Sequence, residues 1–163
     1  MIVDLGCGIH KRGDIGIDCK EQPGVDIVCF LGFEQIPLED NIADRVMAFD
    51  ILEHIPASVY YREGNEWKVK RPRIDLFREV HRILKPGGEF ESFTPCFPHE
   101  TWALDPTHEA PPWTDTTFLY FSTREDYKHL QDYYNIDFQF EVVKTELDMT
   151  YGGHISAILR KPG

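Results

Sequence analysis

The stretch Val3-Asp4-Leu5-Gly6-Cys7-Gly8 decides the fold of this chain. A short apolar segment runs into two glycines that are separated by one residue, and Asp4 adds a carboxylate near the end of that segment. Because glycine has no Cβ, a turn of this composition lets the backbone approach a bound ligand closely. The stretch therefore predicts a β-strand that ends in a ligand-binding turn, although two glycines alone also suit an ordinary tight turn.

A second apolar segment, Ile15-Gly16-Ile17-Asp18, places a carboxylate ten residues after Gly8. In a parallel sheet, an acidic side chain at the end of the neighbouring strand can accept hydrogen bonds from both hydroxyl groups of a ribose. A dinucleotide-binding turn would need a third glycine where this chain has Lys11, and an acidic partner about 20 residues further on. The pattern disfavours a nicotinamide cofactor.

Two more segments follow in order, Leu52-Glu53-His54-Ile55 and Leu84-Lys85-Pro86-Gly87-Gly88. Together with the glycine turn and Asp18, they resemble the class I S-adenosylmethionine (SAM)-dependent methyltransferases, in particular small members of the type 11 kind. The resemblance spans residues 2–159, with a shortened N-terminal half. It implies an α/β, Rossmann-like three-layer fold with a seven-stranded, mostly parallel sheet and an antiparallel last strand. It also implies SAM as cofactor and S-adenosylhomocysteine as product.

The cofactor-binding residues that the resemblance implies follow or end the first four strands: Asp4, Gly6, Cys7, Gly8, Asp18, Cys19, Phe30, Leu31, Asp50 and His54. Asp4 would meet the ammonium group of SAM, and Asp18 its ribose. The family usually has a carboxylate beside the adenine, but this chain has Phe30 and Leu31 there. For His54 a capping or packing role is the alternative, and Glu53 is interpreted as a charge at a helix end.

The proline-rich segment 97–113 is predicted to rise over the carboxyl ends of the strands, where ligands of open α/β sheets bind. The segment contains His99 and His108, and histidine is the side chain that most often serves as a general base for a hydroxyl or amine acceptor; Asp105 could orient one of them. Alternatively, Asp105 caps a turn and His108 packs on a tryptophan. A metal site built from these three residues matches no strong ligand spacing, so no metal is expected.

Hydrophobic periodicity predicts the elements between these motifs. Strands are expected at residues 2–5, 15–18, 26–30, 45–49, 89–93, 136–143 and 154–159, with the last two antiparallel. An amphipathic helix is expected at 73–84, and Ser122 with Glu125 suggests a capping box for a helix that ends near residue 133. Aromatic residues around Glu63-Gly64-Asn65 suggest a hairpin within 57–72, which would serve as a lid or an oligomer contact.

The links between the first three strands are unusually short. Nine residues separate Leu5 from Ile15, and six separate Asp18 from Val25. Parallel strands usually need a crossover of about a dozen residues or more. One face of the sheet is therefore expected to be thinly covered, and we predict that a homo-oligomer buries it.

The bulk properties fit a single domain over residues 1–163. A net charge of −11 argues against a nucleic-acid partner. The four cysteines form no CxxC pair, so free thiols in a reducing cytoplasm are expected. No apolar run is long enough to cross a bilayer and no signal sequence is visible, so no membrane partner is expected.

These features predict a cytoplasmic SAM-dependent methyltransferase that acts on an oxygen or nitrogen atom of a small-molecule or sugar-like acceptor. Two alternatives keep the SAM pocket but change its use. One is an enzyme that cleaves SAM without an acceptor, since fold alone does not fix the reaction. The other is a SAM-binding pseudoenzyme that works as an interaction module.

Overall fold

The computed structural model describes residues 1–97, 99–149 and 152–163. Strands and helices alternate along the chain, with these bounds: β1 Ile2–Leu5, β2 Ile15–Asp18, β3 Ile27–Val28, β4 Ala43–Phe49, β5 Val59–Glu63, β6 Glu66–Lys70, α1 Pro72–Ile83, β7 Leu84–Pro95, α2 Glu100–Leu104, α3 Lys128–Tyr134, β8 Glu141–Asp148 and β9 His154–Arg160. Short 3-10 helices lie at Leu52–His54, Asp115–Phe121 and Glu125–Tyr127.

Seven strands form one sheet in the order β3-β2-β1-β4-β7-β9-β8. The pairs from β3 to β7 are parallel, and β9 is antiparallel to both of its neighbours. This arrangement confirms the predicted α/β class and the antiparallel last strand. The strand order reverses between β1 and β4, and open α/β sheets bind ligands at the carboxyl ends of the strands beside such a reversal.

One face of the sheet is packed. Cross-strand neighbours Val3, Val46, Phe90 and Leu159 share that face, and each of them is fully buried. Helix α1 covers it, and the ring of Phe77 lies 5.3 Å from that of Phe90 in an edge-to-face contact. The hydrophobic core of the chain therefore lies between α1 and this face.

The sequence of α1 explains its bounds. Pro72 occupies the first helical turn, where its missing N–H costs no hydrogen bond. Leu76, Phe77, Val80 and Ile83 recur at helical spacing and are all buried. The helix predicted at 73–84 is confirmed within one residue at each end.

The opposite face of the sheet is open and carries charges. Arg45 lies 3.6 Å from Glu91, and Arg160 donates a 2.8 Å hydrogen bond to Glu89. The links 6–14 and 19–26 that run beside the first strands contain no helix. The covering of this face is therefore thin, as the short links predict.

Strands β5 and β6 form a separate two-stranded sheet that turns at Gly64, where φ is +59°. This confirms the hairpin expected within 57–72. Tyr60 and Trp67 on the hairpin are 72% and 73% exposed, so they do not pack on the rest of the chain. The hairpin projects from the body of the molecule just before α1.

Arg73, at the start of α1, ties the base of the hairpin to a distant loop. Its buried guanidinium donates hydrogen bonds to three backbone carbonyls: 2.7 Å to Ile55, 2.7 Å to Pro111 and 3.0 Å to Glu109. It also lies 4.9 Å over the ring of Trp113. Burial lowers the pKa of Arg73 to about 10, so its guanidinium stays charged at neutral pH.

Two local predictions were wrong. Residues 136–140 do not join the strand predicted at 136–143, because Phe138 and Phe140 pack into the aromatic cluster around Phe77 and β8 starts at Glu141. Ser122 makes no capping box, because its hydroxyl donates to the Leu119 carbonyl and accepts from the Arg124 N–H.

The turn between β8 and β9 includes Thr150 and Tyr151, which lie outside the described residues, as does Pro98 in the proline-rich segment. In the described ranges, no helix is both long enough and apolar enough to span a membrane.

Candidate active site

A cavity of about 170 Å³ opens at the carboxyl ends of β1, β2 and β4. Its walls come from the loops that follow these strands: Gly6, Asp18, Cys19, Phe30, Leu31, Phe33, Ile51, His54 and Ile55. Six of these nine were predicted cofactor residues. Phe33, Ile51 and Ile55 were not, because apolar wall residues carry no sequence signal beyond their hydrophobicity.

The glycine turn is held by hydrogen bonds to β2 as well as by its own conformation. The Gly6 N–H donates to the Ile17 carbonyl at 2.8 Å, and the Gly8 N–H donates to Asp18 Oδ2 at 3.0 Å. Gly6 has φ +67°, and a Cβ there would lie 2.5 Å from Cγ1 of Ile51. Gly6 is thus required by its backbone and by the packing of Ile51.

Two carboxylates lie under and beside this cavity. Asp4 is buried; its Oδ2 accepts the Arg12 N–H at 2.6 Å, while its Oδ1 is buried without a hydrogen-bond partner. A buried acceptor without a partner is costly unless a ligand or water satisfies it. Asp18 Oδ1 accepts the Lys20 N–H at 3.2 Å, which leaves acceptor capacity on both of its oxygens.

Four predicted cofactor residues lie off the cavity wall: Asp4, Cys7, Gly8 and Asp50. Asp50 has φ +53° and lines a separate groove on the open face, with its Oδ1 3.5 Å from Nε2 of His154. Cys7 is buried, and its thiol points to the Gly24 carbonyl at 3.7 Å. Burial, reinforced by Asp4 and Asp18, raises the pKa of Cys7, which keeps it a neutral thiol. Roles for Asp50 and Cys7 in cofactor binding stay predictions.

A cluster of three side chains lies next to the cavity: Glu53, His54 and His108, called here the Glu-His-His cluster. Glu53 Oε1 is 4.0 Å from Nε2 of His54 and 4.0 Å from Nε2 of His108. The two imidazole rings meet edge-to-face with 5.0 Å between centroids. His54 also lines the cavity, so the cluster adjoins the candidate cofactor site.

Each member of the cluster is anchored through the atom that points away from the centre. Nδ1 of His108 lies 2.9 Å from the Trp102 carbonyl, and Nδ1 of His54 lies 3.3 Å from the Thr107 carbonyl. Since a carbonyl only accepts, both Nδ1 atoms carry the proton and both Nε2 atoms present a lone pair in the neutral rings. Glu53 Oε2 accepts the Thr94 hydroxyl at 2.7 Å.

The electrostatics of the cluster centre on Glu53. Its side chain is only 2% exposed, and burial raises the pKa of the carboxyl. Glu53 lies in the first turn of the 3-10 helix Leu52–His54, as the helix-end interpretation predicts, and its carboxylate also faces two histidines. The signal available in the sequence was the pair Glu53-His54 itself, which gave no hint of the distant His108.

The three predicted catalytic residues are only partly brought together. Asp105 Oδ2 lies 3.8 Å from Nε2 of His108, while Asp105 Oδ1 accepts the Thr107 N–H and hydroxyl at 2.8 and 2.6 Å. These hydrogen bonds lower the pKa of Asp105. His99 lies elsewhere, against Gly153 just before β9. A Cβ placed on Gly153 would lie 2.1 Å from Cβ of His99.

The chain resembles known proteins in sequence and in fold. A family model described as a methyltransferase domain, of type 11, matches residues 17–91. No curated protein matches the chain. The fold is similar to a SAM-dependent methyltransferase from Archaeoglobus fulgidus, with a TM-score of 0.62 and 15% identity over 98% of this chain and 85% of that chain.

Two other solved structures show how varied the chemistry on this fold is. One is the 16S rRNA (adenine(1408)-N(1))-methyltransferase from Catenulisporales acidiphilia, with a TM-score of 0.56 and 14% identity over 99% of this chain and 84% of that chain. The other is the cyclase SpnF, with a TM-score of 0.54 and 16% identity over 99% of this chain and 74% of that chain. At such identities, these structures establish the fold alone.

The family match runs from β2 to β7 and covers most of the cavity wall. The family match and the fold support a class I SAM-dependent methyltransferase of the type 11 kind with SAM as cofactor, as the motifs predict. The residues present fit that cofactor: the unpaired Asp4 Oδ1 suits an ammonium group, and the acceptor capacity of Asp18 suits ribose hydroxyls. The exposed ring of Phe30 on the cavity wall offers a surface on which the adenine ring of SAM can pack.

Proposed function

We propose that this enzyme transfers the methyl group of SAM to an oxygen or nitrogen atom of a small-molecule or sugar-like acceptor. The observation that carries the proposal is the position of the Glu-His-His cluster beside the cofactor cavity. An acceptor hydroxyl or amine must lose a proton as it is methylated, and the cluster offers imidazole lone pairs that can take it.

SAM supplies an activated methyl group on a sulfonium leaving group, so the protein mainly has to position the acceptor and handle its proton. We assign the base to His108, whose Nδ1–H is fixed on the Trp102 carbonyl so that Nε2 is free to accept. Glu53 at 4.0 Å and Asp105 at 3.8 Å stabilise the imidazolium that forms. His99 is the weaker candidate, since it lies outside this cluster.

A small acceptor is supported by charge and by shape. The net charge of −11 opposes binding to a phosphate backbone. A second cavity of about 490 Å³ lies beside Trp113, whose indole N–H donates to the Leu52 carbonyl one residue before Glu53. Its size falls within the range of small-molecule sites. A protein of the same fold methylates rRNA, so RNA belongs in the acceptor screen.

Calorimetric titration with S-adenosylhomocysteine, followed by a SAM turnover assay with an acceptor panel, tests the proposal. We expect one-to-one binding, and formation of S-adenosylhomocysteine only when a small acceptor is present. Turnover without any acceptor would instead indicate SAM cleavage, and tight binding without turnover would indicate an interaction module. Methylation of RNA alone would overturn the small-acceptor assignment.

We further propose that residues 1–163 act as one domain in the cytoplasm and that copies associate through the open face of the sheet. The support is the absence of helices from links 6–14 and 19–26, which leaves that face thinly covered. Light scattering at micromolar protein concentration tests this, and a monomer would overturn the oligomer.

A further inference from the structure

We propose that the Glu-His-His cluster binds a divalent transition metal ion of the Zn²⁺ type, with Glu53, His54 and His108 as its protein ligands. The three ligand atoms lie within 4.8 Å of one another, and no other such set of His, Cys, Asp and Glu side chains exists among the residues that the structure describes. The set differs from the trio considered from sequence, because Glu53 and His54 replace His99 and Asp105.

The separations are close to those that an ion requires. Glu53 Oε1 is 4.0 Å from Nε2 of each histidine. Ligand atoms about 2.1 Å from a tetrahedral ion lie roughly 3.4 Å from one another. Each of these two separations therefore has to shorten by only about 0.6 Å, which small side-chain rotations supply.

The anchoring of the cluster is the second and independent observation. A histidine that binds a metal almost always donates its other ring N–H to a carbonyl or carboxylate, which fixes the ring and the tautomer. Both His108 and His54 do so, to the carbonyls of Trp102 and Thr107. The remaining carboxylate oxygen of Glu53 is held by the Thr94 hydroxyl. The three remaining ligand atoms lie within 4.8 Å of one another.

Charge also favours a cation there. The Glu53 side chain is 2% exposed and that of His108 is 9% exposed, and no Lys or Arg among the described residues forms an ion pair with Glu53. A buried carboxylate without a cationic partner is costly, and a metal ion would compensate it. Asp105 Oδ2, 3.8 Å from His108 Nε2, is within reach as a further ligand.

The donor set favours a transition metal ion over Mg²⁺ or Ca²⁺. Two imidazoles and one carboxylate form a common Zn²⁺ set with an open position, whereas Mg²⁺ and Ca²⁺ prefer oxygen ligands only. At the open position an acceptor oxygen could bind beside the cofactor cavity, and the ion would lower the pKa of its hydroxyl. This consequence rests on the proposed function: with the ion bound, His108 holds the metal and the acceptor hydroxyl loses its proton to solvent, whereas in the metal-free protein His108 is the base.

Calorimetric titration of EDTA-treated, dialysed protein with ZnCl₂, and separately with MgCl₂, tests the site. We expect one Zn²⁺ per chain and far weaker Mg²⁺ binding. His108→Ala and His54→Ala should each weaken Zn²⁺ binding at least about tenfold. His129→Ala, which removes an exposed histidine of α3, should leave binding unchanged. Equal Zn²⁺ affinity in wild type, His108→Ala and His54→Ala would overturn the proposal.

A measurement on the unaltered protein guards against variants that fail to fold. X-ray absorption at the zinc edge of the one-to-one complex should show nitrogen and oxygen neighbours with imidazole scattering. Sulfur neighbours would place the ion on cysteines and overturn the site. If S-adenosylhomocysteine binds but Zn²⁺ does not, this inference fails alone. If Zn²⁺ binds and no acceptor is methylated, the proposed function fails alone.

Discussion

The two sides of the active site are built in different ways. The cofactor side consists of turns that directly follow neighbouring parallel strands, and backbone hydrogen bonds such as Gly6 N–H to Ile17 hold it. The proposed acceptor side is the Glu-His-His cluster. It is assembled from chain segments far apart in sequence, and its histidines are held by hydrogen bonds to backbone carbonyls. We therefore expect backbone changes to damage the first side and single side-chain changes to affect the second.

Gly6→Val should have the largest effect. Valine at φ +67° is strained, and its Cβ would lie 2.5 Å from the Ile51 side chain on the cavity wall. Left-handed strain and overpacking together should cost about 2–5 kcal/mol of the free energy of unfolding. Binding of S-adenosylhomocysteine, measured by calorimetry, should become undetectable.

Gly8→Ala is the matched control for that change. Gly8 also has a left-handed φ, +53°, but a Cβ there meets no atom within 4 Å. We expect a loss of only about 1–2 kcal/mol of the free energy of unfolding, because no packing contact is disturbed. If Gly8→Ala were as damaging as Gly6→Val, the packing against Ile51 would not be the reason that Gly6 is required.

His108→Ala tests the acceptor side. The turnover number should fall about 10²–10⁴-fold, because the proton of the acceptor loses its destination. The dissociation constant of S-adenosylhomocysteine should stay within about twofold, since His108 is not on the cavity wall. Steady-state kinetics and calorimetry on the same preparation measure both quantities. A parallel loss of binding and turnover would mean that His108 supports the fold of the whole site.

Asp18→Ala should weaken the cofactor side without destroying it. Loss of hydrogen bonds to a charged acceptor costs about 1–3 kcal/mol, which corresponds to roughly a 5–150-fold rise in the dissociation constant. Asp18→Asn keeps a carbonyl oxygen for the Gly8 N–H and should lie between the two. Equal dissociation constants for wild type, Asp18→Ala and Asp18→Asn would contradict the assignment of Asp18, at the end of β2, to ribose binding.

Glu53→Gln should give the smallest effect, and it depends on pH. Burial raises the pKa of Glu53 in the folded state, so the native state holds this proton more tightly than the unfolded chain does. Protonated Glu53 therefore contributes stability that is fully present below the pKa of Glu53 in the unfolded chain. This contribution is lost as pH rises through the raised pKa of Glu53 in the folded protein. Glutamine cannot ionise and does not suffer this loss.

Thermal unfolding in EDTA from pH 4 to 8 measures that difference. The melting temperature of Glu53→Gln should exceed that of wild type increasingly as pH rises, by roughly 2–4 °C for each kcal/mol in a chain of this size. A gap that stays constant across this range would show that Glu53 does not titrate there. EDTA removes any contribution from a bound ion.

The predictions for the cofactor side depend on local sequence patterns, and six of the predicted residues line one cavity. The glycines follow β1 and Asp18 ends β2, and the carboxyl ends of neighbouring parallel strands lie at the same edge of a sheet. The pairing of Glu53 with His108 depends on how the loop after β7 folds back, which no local pattern encodes. For the same reason the alternating apolar residues Ile136, Phe138 and Phe140 predict a strand, although in the structure they fill the core beside Phe77.

The hydrogen bonds of Arg73 fix the chain on both sides of the hairpin. They tie Ile55, just before the hairpin, to Glu109 and Pro111, just after His108, so the loops that carry the active site are fixed below the hairpin. The strands β5 and β6 are outside that tie and expose their aromatic residues. A change within the hairpin is therefore expected to leave residues 55 and 109–111 in place, because their tie to Arg73 does not include β5 or β6.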